Sequence, residues 1–152
     1  MQQDEAGLSG TLGPLDWRRI LPFEPDASSE RLGWVGVQGA RYRAARASEF
    51  SAPAISHHRL VLFIRPPEEL DLQYEGVKRH ISPPAGSVSL VPAGTSSWWR
   101  SSVYKDHLHV FLEPGLVARV AAEAFNLDPT RLTVPPLDGL ELPHIRAVPP
   151  VL

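Results

Sequence analysis

The chain has 152 residues, a formal net charge of −2 and no cysteine. That length fits one domain able to bury about 70% of its unfolded surface, the charge supplies no basic field for nucleic-acid phosphates, and disulfides and thiolate metal sites are excluded. Sixteen prolines, against a usual share of about 5%, cut the chain into short segments and favour a β architecture.

Residues 1–30 mix Gly, Pro, Ser and acids and read as a loose lead-in, with LDWRRIL as a helical turn or edge strand. The first residues lack the basic segment and apolar run of a signal peptide, and no stretch approaches the length of a membrane span, so a cytoplasmic protein without membrane contact is expected. RLGWVGVQGARYRAARA is strand-like, although the Arg and Ala in its second half also suit a helix. HHRLVLFIRPP is a core strand, apolar on both faces from Leu60 to Ile64 and stopped by Pro66 and Pro67. ELDLQYEGVKRHI alternates Leu70, Leu72 and Tyr74 with polar residues, then turns at Glu75 and Gly76 into a second strand from Val77 to Ile81. SVSLV, SSWWRSS and DHLHVFLE complete six or seven strands between residues 32 and 113.

The period changes at Pro114. Leu116, Val117, Val120, Ala121 and Ala124 recur at helical spacing, so PGLVARVAAEAF is an amphipathic helix ending near Asn126. Prolines at positions 135, 136, 143, 149 and 150 then prevent a long helix. The expected organisation is a lead-in (1–30), a β-barrel (31–113), a packing or dimerisation helix with its turn (114–133) and an irregular proline-rich tail (134–152).

Strands first, one helix after them, and Pro/Gly corners predict a mainly β jelly roll or small barrel. GSVSLVPAGTSSWWR adds a pattern: Gly86, Pro92, Gly94 and Ser97 are spaced like G-x5-P-x-G-x2-H. That is similar to the second conserved motif of the cupin superfamily, with Ser97 where a metal-binding cupin carries histidine. Four passages in order, SSERLGWVGVQGARYR, HHRLVLFI, GSVSLVPAGTSSWWR and DHLHVFLEPGLVARVAAEAFNLDPTRL, resemble the N-terminal effector-binding and dimerisation domain of AraC-type transcription regulators over roughly residues 28–133. The resemblance implies a cupin-like double-stranded β-helix, a jelly-roll barrel, followed by a C-terminal α-helix that pairs two subunits. The family's DNA-reading half has no room before Leu152, so a truncated regulator or stand-alone module is expected, a homodimer without direct DNA binding. A small-molecule effector is the implied partner.

Five residues are candidates for lining the effector site: His58, Ser97, Trp99, His107 and His109. Ser97, Trp99 and Ser101 share one parity along their strand, which the cupin comparison places inward. Trp34 and Tyr42 invite the same argument with less support. Candidate dimerisation residues are Leu116, Val120 and Ala124. Arg41, Arg43 and Arg46 read as a solvated face, and His80 and His144 as turn residues facing water.

The rival class is a small metal-dependent cupin, a dioxygenase or isomerase. His107-x-His109-x3-Glu113 has ligand-like spacing on one strand face. Against it, the group follows the Pro-x-Gly motif instead of preceding it, Ser97 stands at the completing position, and Glu113 abuts the helix start. No nucleophile elbow, triad or phosphate loop occurs. The expectation is therefore a non-enzyme with no catalytic residue, no metal and no cofactor. A further alternative is a dimerisation-only module that interferes with full-length regulators.

Overall fold

A short helix, α1 (Pro14–Ile20), leads into nine strands, β1 (Ala27–Ser28), β2 (Val37–Tyr42), β3 (Ser48–Ala52), β4 (His58–Arg65), β5 (Leu70–Tyr74), β6 (Val77–Ile81), β7 (Ser87–Val91), β8 (Ser97–Ser101) and β9 (Asp106–Leu112). Helix α2 (Pro114–Phe125), a 3-10 turn (Pro129–Arg131) and a last strand, β10 (Leu137–Glu141), follow. The structure is a computed structural model and describes residues 12–21, 23–43, 46–103 and 106–143. The lead-in before Leu12, His144 and the prolines at 149 and 150 lie outside the described residues.

The strands form two antiparallel sheets, ordered β1-β2-β9-β4-β7-β10 and β3-β8-β5-β6. The run from β2 to β9 thus divides as β2-β9-β4-β7 against β3-β8-β5-β6, the double Greek key of a jelly roll. The protein is a mainly β, cupin-like double-stranded β-helix. Apolar residues from both sheets meet between them in two clusters, one around Val61, Phe63, Leu72 and Trp99, the other around Trp17, Tyr42, Ile55 and Phe111.

Local chemistry explains the corners. Glu75 and Gly76 both take positive φ, 51° and 75°, as a two-residue turn between twisted strands requires. Gly94, with φ of 80°, reverses the chain after Pro92. That corner is tied down twice: the Gly94 N–H donates to the Ile55 carbonyl, and the Ala93 N–H donates to His58 Nδ1 at 3.0 Å.

Of the helical turn or edge strand expected for LDWRRIL, the structure has the helix, α1, and its Trp17, 1% exposed, anchors a lead-in whose composition reads as loose. Two segments depart from the sequence reading. The irregular tail contains β10, which pairs with β7, donates from the Gly139 N–H to Ser89 Oγ, and places Asp138 between Tyr74 of β5 and Arg79 of β6. Those side-chain partners hold a strand that LDGLE would not specify by propensity. Between residues 32 and 113 the described strands number eight instead of six or seven, because SEFSA pairs along its whole length with SWWRS of β8.

Candidate functional site

The alternation along each strand decides which side chains enter the barrel. On β9, the inward set is His107, His109 and Phe111, buried to 2–3% exposure. On β8 it is Ser97, Trp99 and Ser101, while Trp98 turns outward and donates its indole N–H to Glu49. Four of the five candidate lining residues are therefore brought together inside.

His58 is not among them. It shares the outer parity of β4 with Leu60 and Leu62, and its ring accepts from the Pro92–Gly94 corner. Its neighbour Arg59 has the inward position, with Val61 and Phe63 on the same face. The strand is apolar on both faces from Leu60 onward, so no alternation in the sequence identified which of the two residues points inward.

Arg59 is 3% exposed, and its guanidinium lies between two indole rings, 4.1 Å from the Trp17 centroid and 4.9 Å from that of Trp99. A cation desolvated over an aromatic face gains from the ring quadrupole. Ser97 Oγ accepts the Trp99 indole N–H at 2.7 Å and lies 3.5 Å from Arg59 Nη2. Sequence reading missed both Arg59 and Trp17. The Trp-Arg-Arg of the lead-in and the Arg after a His pair carry no signal that they converge.

Trp17 closes the other side. Its indole N–H donates to His109 Nδ1 at 3.0 Å, which leaves the His109 proton on Nε2. The same ring packs edge-on against Phe50 and Phe111, with centroids 6.0 and 6.2 Å away. His107 stacks on Tyr42 at 5.1 Å and lies 4.9 Å from His109. Burial pushes His107 down to about 4, only partly offset by Asp106, and pushes His109 well below its usual value, helped by His107 and Arg59. Both imidazoles are neutral at pH 7.

His107 and His109 do face inward together, but Glu113, the carboxylate of the ligand-like spacing, sits at the start of α2 with its side chain beside Gly36. Among the described residues no three His, Asp or Glu side chains group to hold a metal ion. Two further placements correct the sequence reading. Arg41 is not solvated: it makes a bidentate pair with Asp106, at 3.0 and 2.6 Å, while Arg43 is exposed. Trp34 lies outside the barrel over Gly39, whereas Tyr42 is inside.

An open cleft of about 600 Å³ lies at one end of the barrel, bounded by Ser51–Pro53, Gln73–Gly76 and Ser96–Trp98. Its floor shares Ala52, Pro53 and Ser97 with a gap of about 10 Å³ that touches Arg59 and Trp17. That gap is at the lower limit for one water molecule. The interior set is thus filled by the chain's own rings, and the cleft ends against it.

On α2, Ala121 is buried, Leu116 is half-buried against Gly36, and Val120 and Ala124 are exposed. Phe125 and Leu127 extend that exposed apolar end. No described helix is long and apolar enough to cross a membrane.

Among solved structures the chain is similar to a cupin 2 conserved barrel domain protein from Salinispora arenicola, at 15% identity over 75% of this chain and 98% of that one, with a TM-score of 0.44. It is also similar to Bacillus subtilis oxalate decarboxylase, at 14% identity over 76% of this chain and a TM-score of 0.46, and to an ethanolamine utilization protein Q of Salmonella typhimurium, at 17% over 51% and a TM-score of 0.41. The chain spans 35% of the decarboxylase and 58% of the ethanolamine utilization protein. No family model and no curated protein matches the sequence. The jelly roll follows from the strand order itself, and these likenesses assign no activity to this chain.

Proposed function

We infer that the chain is a ligand-sensing and dimerisation domain of the AraC type, in which a small-molecule effector enters the jelly-roll barrel and a second copy packs on α2. The observation that carries this reading is the interior array of Arg59, Ser97, Trp99 and His109 at the end of an open cleft. A few convergent polar groups set among aromatic rings are what orient a small ligand. The neutral imidazoles, one already accepting a hydrogen bond, serve recognition in this reading, and no residue is assigned a catalytic role. DNA reading is no part of what we assign to these residues, and a cytoplasmic setting belongs to the same proposal.

The exposed Val120, Ala124, Phe125 and Leu127 support a twofold pairing of α2. Signalling then requires only that the effector bind one arrangement of the lead-in and helix more tightly than another. Sedimentation equilibrium tests the pairing half: a dimer is expected, converted to monomer by Val120→Glu with unchanged circular dichroism. A wild-type chain that stays monomeric at high micromolar concentration overturns the dimer. Stoichiometric metal in the purified protein, lost in His107→Ala or His109→Ala, replaces the sensor with the metal-enzyme reading.

A further inference from the structure

The proposed effector site is occupied, and its occupant is chemically informative. Trp17 arrives from outside the barrel, on a helix of seven residues that is too short to be stable by itself. Around it Leu15 is 60% exposed, Leu12 and Ile20 are partly buried against the same cluster, and Leu21, just beyond the helix end, is the other buried anchor of this segment. The ring itself makes a specific set of contacts. The Arg59 guanidinium lies over one face, Phe50 and Phe111 present edges, and His109 Nδ1 accepts the ring N–H. Those contacts select a flat, electron-rich ring carrying one hydrogen-bond donor in its plane, since a cation prefers an electron-rich face and a buried acceptor left unmatched is costly. The open cleft shares Ala52, Pro53 and Ser97 with the gap of about 10 Å³ that touches Arg59 and Trp17, so a ring arriving from the cleft reaches the site only as the Trp17 ring leaves it.

Resting on the sensor reading above, we propose that the effector is a planar aromatic of the indole or phenol class, which takes the place of the Trp17 ring and so releases α1 from the barrel. The incoming molecule remakes the contacts that Trp17 gives up. The exchange is then set by ligand concentration against the effective concentration of the tethered ring. Release of α1 is the structural signal, and it is coupled to the site because one position cannot hold both rings. A ligand of the same shape without a donor leaves His109 Nδ1 unmatched and loses the competition.

The test uses the full chain labelled with 15N in its four tryptophans, with Trp17→Phe identifying the Trp17 indole resonance, and indole as the probe. Indole is expected to move the Trp17 resonance saturably to a solvent-exposed position. Naphthalene, similar in shape but without a donor, is expected to bind about tenfold more weakly. Trp17→Ala, which removes the competitor, is expected to bind indole at least about tenfold more tightly than the wild type. A Trp17 resonance unmoved by excess indole overturns the proposal, as do equal responses to indole and naphthalene, or a folded Trp17→Ala chain that does not bind indole. Should Trp17→Ala fail to fold, the wild-type titration decides alone. An effector of another class that binds with the Trp17 resonance unmoved sinks this inference and leaves the sensor reading standing, whereas sedimentation tests the dimer independently of any ligand.

Discussion

Tyr42 and His107 lie face to face inside the barrel, their ring centroids 5.1 Å apart and their planes 15° from parallel. The contact places an imidazole where it cannot be hydrated, and its pKa falls from 6.5 to about 4. The sign of the pH dependence follows. Between about pH 6.5 and 4 the unfolded chain binds a proton that the folded chain does not, so stability falls as pH drops through that window. It is constant with respect to His107 above that range and levels off below it.

His107 alone therefore accounts for a loss of about 3 kcal/mol between pH 7.5 and pH 4. His109, shifted in the same direction, steepens the loss. Urea unfolding across this range measures it, and His107→Gln is expected to reduce the slope by about one proton in the same interval. A slope unchanged by that substitution would count against the neutral buried imidazole.

Trp17→Phe keeps a ring between Arg59 and Phe111 but leaves His109 Nδ1 without its donor. We expect a loss of about 1–2 kcal/mol, against about 3–5 kcal/mol for Trp17→Ala, which also opens a cavity. Chemical denaturation of the two variants separates the hydrogen bond from the packing.

The Arg41–Asp106 pair joins adjacent strands with both side chains little exposed, at 12% and 11%. Asp106→Asn removes one charge and leaves the guanidinium half-matched, with an expected cost of about 2 kcal/mol. The double change Arg41→Met with Asp106→Leu is expected to recover most of that loss, because neither partner then remains as an unpaired ion. Unfolding midpoints of the three proteins test both statements.

Tyr74 donates its hydroxyl to Asp138, and Arg79 reaches the same carboxylate at 3.2 Å. Burial, reinforced by the Asp138 hydrogen bond, raises the Tyr74 pKa, so the phenol stays a donor throughout the usable pH range. Tyr74→Phe is expected to cost about 1 kcal/mol and to speed amide exchange in Leu137–Glu141 more than in β4 or β9. Uniform acceleration would show that the link stabilises the whole barrel instead of docking one strand.

Much of the barrel is legible in the residues. Leu70, Leu72 and Tyr74 alternate cleanly with polar neighbours, Glu75–Gly76 marks a tight turn, and Ser97–Ser101 carries its own parity because Arg100 must face water. The interior set is half legible for the same reason: Ser97, Trp99, His107 and His109 lie on strands whose alternation shows. Arg59 does not, since the run after it is apolar on both sides and gives no phase, so the adjacent His58 reads as equally inward. Trp17 is illegible because its burial depends on a contact 92 positions away. Nothing local in Pro14–Ile20 encodes that contact. β10 fails differently: its register comes from Ser89, Tyr74 and Arg79, all supplied by other strands.

The position of β10 also bears on solubility. All five residues of β7 are buried, and β4 covers only one of its flanks. Without Leu137–Glu141 the other flank would offer a row of open amides and carbonyls on a valine- and leucine-bearing strand, a template for any chain able to add itself. The last described strand thus acts as a guard against self-templated growth, and a shortened chain ending before it should be lost to inclusion bodies before its barrel interior ever has a chance to fail.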